Sequence, residues 1–166
     1  MLLDRIILLS AWIAAILLLF LFTPRNKIRE AQLIFLFKQV LTWIFGLFVV
    51  EFLLIEYPVR EFSYATRASF GFEYFIYPAT CVIFILRFPE EGSWIKKLVW
   101  YLFWPTWMTI VEVLLERYTN LVHYMNWTWY WTWITLLITF YIPRVYFKWF
   151  LKKGIPTCRY RQGGEQ

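Results

Sequence analysis

The chain has 166 residues, of which 61% are hydrophobic, 23% aromatic and 17% charged. A soluble domain this small keeps a large share of its residues at the surface and cannot bury that much apolar area, so the excess must face lipid. The net charge of +6 does not mark a nucleic-acid binder either: Lys and Arg fall in short clusters between apolar blocks, as they do around membrane spans, not along one soluble face.

Taken in chain order, the first apolar block covers 6–22 and ends at Thr23-Pro24. Its positive charges (Arg25, Lys27, Arg29) follow the apolar run and no small-x-small site closes it, so it reads as a retained span, not a secretory signal. Further blocks cover 31–57, 68–88, 98–116 and 127–142, separated by short segments such as Pro89-Glu90-Glu91-Gly92-Ser93. Each is close to the roughly 20 residues that a helix needs to cross hydrocarbon. None shows the ten-residue alternation of a membrane strand. The predicted fold is therefore all-α, an integral membrane bundle of about five transmembrane helices within residues 1–153. A basic tail follows over 154–166.

Counting Lys and Arg on alternating sides gives thirteen on one side and four (Arg5, Arg60, Arg67, Arg117) on the other. The positive-inside rule then sets the N-terminus outside and the C-terminus in the cytoplasm. After Pro143, residues 144–153 carry Arg144, Lys148 and Lys152 at every fourth position among aromatics, with Lys153 next. Two readings are open: a helix lying in the inner interface with these cations on anionic lipids, or a straight continuation of span five with snorkelling lysines.

The acids inside the spans are ordered. Glu51, Glu73 and Glu112 come from three different blocks, each a few residues from its outer end, which puts all three roughly 6–9 Å below the outer interface. Glu56, Glu61, Arg60, Arg67, Glu116, Arg117 and the only histidine, His123, surround them. Charges at that depth must face protein or a wet cavity. In one reading Glu51, Glu73, Glu112, Glu116 and His123 line a pocket for a cation, a proton or a cationic solute. In the other the carboxylates pair with Arg60, Arg67 and Arg117 and fasten the helix ends. Six acids against three arginines leave acids over.

A metal centre on His123, Glu112 and Glu116 lacks a second histidine, a nearby cysteine and any HExxH, and no metal or other cofactor is expected. Cys81 and Cys158 lie in different surroundings and support no disulfide. Thr128, Thr132, Thr135 and Thr139 form one stripe on span five, and Ser69, Glu73, Tyr77 and Thr80 another on span three. Such stripes mark helix–helix contact or, alternatively, line a polar conduit. Ser10/Ala14 and Ala11/Ala15 are small-xxx-small pairs suited to close packing within the chain or with a second copy. The run Trp127-Thr128-Trp129-Tyr130-Trp131-Thr132-Trp133 reads as interfacial anchoring. No nucleotide or covalent-catalysis motif occurs.

The stretch Phe72-Glu73-Tyr74-Phe75-Ile76-Tyr77-Pro78, the turn Arg87-Phe88-Pro89-Glu90 and His123-Tyr124 before the Trp-rich run resemble a family of small, uncharacterised multi-pass integral membrane proteins of spore-forming Gram-positive bacteria. That resemblance implies a bacterial plasma-membrane protein and supplies no activity or site residue. Three functions stand open: a non-enzymatic component packing with itself or another membrane protein, a small-solute or cation carrier using the glutamate layer, and a membrane-embedded enzyme using Glu112, Glu116 and His123.

Overall fold

The computed structural model describes residues 2–153; the tail expected over 154–166 lies outside them. Helix α1 runs Leu2–Phe22, and a single 3-10 turn (Arg25–Lys27) leads into α2 (Ile28–Glu51). A π-helical stretch, Gly71–Ile76, continues directly as α3 (Tyr77–Leu86), followed by α4 (Trp94–Tyr118) and α5 (Trp129–Lys153). Two-residue strands β1 (Ile55–Glu56) and β2 (His123–Tyr124) pair antiparallel, Ile55 opposite Tyr124 and Glu56 opposite His123.

The fold is an all-α bundle. Four of its helices are long and apolar enough to cross a membrane. The third block is shorter than the expected 68–88: its π and α parts hold 6 and 10 residues, about 24 Å at helical rise. Lipid demands that a spanning backbone satisfy itself, but irregular backbone is tolerated where protein covers it. Here Gly71, Phe72 and Glu73 of the π-helical stretch are buried, as are Cys81, Val82, Ile83, Phe84 and Ile85 of α3 beyond it.

Two further boundaries differ from the sequence reading. Helix α2 stops at Glu51, not near residue 57, because Leu53 takes a left-handed φ of 52°. The Leu54 N–H then bonds Val49 O (2.9 Å) and the Leu53 N–H bonds Val50 O (3.2 Å), the pairing of a Schellman end without its usual glycine. Helix α5 does not break at Pro143 but continues to Lys153, so of the two readings left open for 144–153 the straight continuation of span five is the one observed.

Proline breaks a helix partly by leaving the carbonyl four residues back without its donor. At Pro78 and Pro143, α2 supplies the missing donors. Pro143 frees Thr139 O, and Lys38 Nζ donates to it at 2.8 Å. Pro78 frees Tyr74 O, which takes the Gln39 amide at 2.9 Å. In π register Pro78 also leaves Glu73 O unpaired, and the Thr42 hydroxyl donates there at 2.6 Å. Lys38, Gln39 and Thr42 share one helical face, and Pro78, Pro143 and Lys38 are all fully buried. A cation counted on the cytoplasmic side is thus a core residue, its ammonium also 4.8 Å from the centre of the Phe140 ring.

The core has two apolar parts. One gathers Ile34, Cys81, Phe84, Phe140 and Phe147, while the other gathers Leu8, Val50, Ile55, Phe72 and Leu121 under the β1–β2 connection. Tyr77 packs against both, and around it lies the polar layer.

Candidate functional site: a carboxylate chamber under a two-strand lid

Glu73 and Glu112 approach the bundle interior from facing elements, the π-helical stretch and α4, and both are more than nine-tenths buried. They line a cavity of about 60 Å³ together with Thr42, Gly46, Tyr57, Tyr77, Trp127 and Thr132. That is room for a few waters or a small ion, not for an organic guest.

Glu112 is held by hydroxyls. Its Oε2 accepts from Tyr77 (2.8 Å), and its Oε1 accepts from Tyr124 (2.9 Å) and Thr132 (2.8 Å). The Trp127 indole N–H donates to the Thr132 hydroxyl at 2.8 Å, turning that hydroxyl's proton toward the carboxylate. Glu73 Oε1 accepts from Tyr57 at 3.2 Å. Burial, and after it the adjoining carboxylates, hold the Tyr57 and Tyr124 phenols above their ordinary value near 10. Both therefore stay protonated and donate.

Room for Glu73 comes from a missing side chain. A Cβ on Gly46 of α2 would stand 2.8 Å from Glu73 Cγ and 2.9 Å from its Cδ. The roof comes from the two loops that pair as β1 and β2. Strand alternation sends Tyr124 inward and its neighbour His123 outward, and His123 is exposed. The Met125 N–H bonds Leu54 O at 3.0 Å, Val59 N–H bonds Asn120 O at 3.1 Å, and Asn120 N–H bonds the Asp4 carboxylate at 3.1 Å. The lid is therefore tied to both α2 and α1.

The residues singled out in the sequence separate here. Glu73 and Glu112 meet. Glu51 does not join them: with α2 ending at that residue, it is exposed. Glu116 is half-buried one turn beyond Glu112, and no group of three metal-ligating side chains occurs among the described residues. Arg60 donates to the backbone carbonyls of Thr66, Tyr57 and Ser63 at 2.8, 2.7 and 3.2 Å, stapling its own loop. Arg67 and Arg117 are exposed. Among the described residues no arginine forms an ion pair with Glu51, Glu73, Glu112 or Glu116. Arg144 and Lys148 bond Glu90 at 3.2 and 3.1 Å, and the Arg144 guanidinium sits 3.1 Å above the Phe88 ring. Both cations thus share one surface carboxylate. Lys152 is exposed, and Lys153 ends α5.

Sequence reasoning missed Lys38, Tyr57, Tyr124 and the donor role of Trp127. For Lys38 the signal was its position next to Gln39 and four residues before Thr42, opposite two helices that contain proline. Of the threonine stripe, Thr132 reaches a carboxylate, whereas Thr135 and Thr139 donate to carbonyls of their own helix. Lys38 interacts electrostatically with Glu73 but lies beyond ion-pair distance. With both carboxyls ionised, Glu73, Glu112 and Lys38 together carry one net negative charge. One proton or one monovalent cation balances it.

Comparison with protein-family models finds no match. No curated protein matches the chain, and no solved structure does.

Proposed function

We propose that this membrane protein binds a small monovalent cation, exchangeable with a proton, between Glu73 and Glu112. One observation carries the reading: two buried carboxylates on facing helices accept bonds from hydroxyls alone and have no ion-pair partner, although charges inside a bundle are costly unless balanced. Lys38 offsets one of the two charges, which favours a monovalent over a divalent guest. The 60 Å³ cavity favours an inorganic ion over an organic one. A role confined to packing with itself or another membrane protein accounts for the apolar helix faces, but leaves the unbalanced carboxylates without a purpose. Positive-inside counting supports setting the lid end outside, so the chamber faces the outer medium.

The test is thermal unfolding of purified protein in detergent, replacing choline chloride by NaCl, KCl or LiCl at fixed ionic strength. Binding to the folded state alone stabilises by about 2.7 kcal/mol at a hundredfold excess over Kd. The expected result is a saturable rise in Tm with at least one of these ions that is lost in Glu73→Gln and Glu112→Gln. Identical curves in every salt for the unaltered protein overturn the proposal.

A further inference from the structure

Helices α1 and α2 are consecutive, yet α1 packs on α3 instead of on α2. A cleft of about 790 Å³ is left between them, open on the lipid side and floored by Val82 of α3. Leu19, Phe20, Ile28, Phe35 and Leu36 give it apolar walls, while Thr23, Arg25 and Gln32 make one end polar. From Arg25 to Leu36 the cleft follows α2 for about 16 Å, the length of much of an acyl chain.

The polar end has one sign of charge. Arg25, Lys27 and Arg29 lie along the turn and the first residues of α2. Arg87 joins them from the end of α3, its Nε bonded to Phe22 O at 3.2 Å and its guanidinium over the Phe22 ring. Glu30 is the only acid in the segment 23–32, and none of these four cations has an ion-pair partner among the described residues. Thr23 lines this end of the cleft, and its covered hydroxyl has no hydrogen-bond partner among the described residues.

We propose that this cleft is a site for one anionic phospholipid, its acyl chain between α1 and α2 and its phosphate at Arg25 and Thr23. Charge complementarity selects the occupant: Arg25 lines the cleft with Lys27 and Arg29 close in sequence, basic residues near a membrane surface attract anionic headgroups, and a zwitterionic lipid lacks the net charge on which that attraction acts. The site lies at the bundle end opposite the chamber, so it stands or falls independently of the cation reading.

The experiment uses the full chain purified from vesicles of equal phosphatidylglycerol and phosphatidylcholine, with retained lipid counted by native mass spectrometry after detergent exchange. The unaltered protein should keep phosphatidylglycerol over phosphatidylcholine by about fivefold or more, the scale of one basic residue at a membrane surface. Arg25→Gln should lower that preference while chain binding persists. Leu36→Trp, which fills the cleft from an exposed wall position (60% exposed) and so spares the core, should abolish retention. Equal retention of the two lipids by the unaltered protein, or undiminished retention by Leu36→Trp, overturns the proposal. Leu114→Trp, the same enlargement at an exposed position of α4 outside the cleft (49% exposed), serves as the control and should change nothing.

Discussion

At the lysine-rich end of the bundle Ile34, Phe84, Phe140 and Phe147 pack in a dry core, and Glu90 is neutralised by Arg144 and Lys148. At the opposite end Glu73 and Glu112 are far more buried than Glu90, whose side chain is 55% exposed, yet meet only phenols and a threonine. The helices differ in the same sense. At the lysine-rich end α5 runs on through Pro143, whereas the chamber end has a π-helical stretch, a left-handed Leu53 and a strand-paired lid. Lys38 marks the border, with its ammonium on the carbonyl that Pro143 frees and its charge directed at Glu73. The contrast teaches that α2 covers the backbone that Pro78 and Pro143 leave open. The chamber's two acidic side chains are left to be balanced by something else.

Breaking the dry end should have the largest effect. Phe140→Ala should cost about 3–5 kcal/mol, measured by denaturation in mixed micelles, and the loss should be the same in sodium, potassium or choline salts. Lys38→Met should come next, at about 2 kcal/mol, because it leaves Thr139 O unpaired in the core; Lys38→Gln should recover part of that. By raising the chamber charge to two, Lys38→Met should also turn the ion-dependent rise in Tm toward divalent cations, and a rise still confined to monovalent ions would break the charge argument.

Gly46→Ala sharpens the comparison without touching a charge. Its Cβ displaces the Glu73 carboxylate, and cation affinity should fall about tenfold, equivalent to about 1.4 kcal/mol, with less change in stability in choline chloride. The smallest effect belongs to the roof. The Tyr57 phenol is held above 10 in the folded protein, so as pH rises past 10 the unfolded chain loses a proton that the folded one keeps. Stability should then fall with pH at about 1.4 kcal/mol per unit. Tyr57→Phe should lessen that fall by the Tyr57 share, leaving the share of Tyr124, and should cost about 1 kcal/mol in the neutral range for the bond lost to Glu73, as denaturation midpoints at pH 8 and above 10 would record.

The helices were legible in the sequence because lipid leaves little choice: charge-free runs near 20 residues must be helical to satisfy their backbone. Glu73 and Glu112 were legible for the related reason that a carboxylate in such a run must face inward. Glu51 was misread because depth was counted from an assumed helix end. The six residues by which α2 falls short put it outside. The sequence left open whether the helix breaks at Pro143, because the rule turns on an unpaired carbonyl, and it is Lys38, 101 residues away in sequence, that takes that carbonyl. Arginine pairing failed similarly: Arg60 spends its donors on its own loop, and no local pattern reveals that loop's shape. Tyr57 and Tyr124 enter the site only through the pairing of two distant loops, which a two-residue strand does not announce.

The central claim is that Glu73 and Glu112 take up a monovalent cation directly. Infrared difference spectroscopy of the reconstituted protein, on exchanging choline for sodium or potassium at constant pH, observes those carboxyl groups themselves. A reversible carboxylate difference band with at least one of these ions, absent from Glu73→Gln/Glu112→Gln and weakened in Gly46→Ala, is the predicted result. A spectrum without a carboxyl or carboxylate change in the unaltered protein, or one that the double variant reproduces, would contradict it.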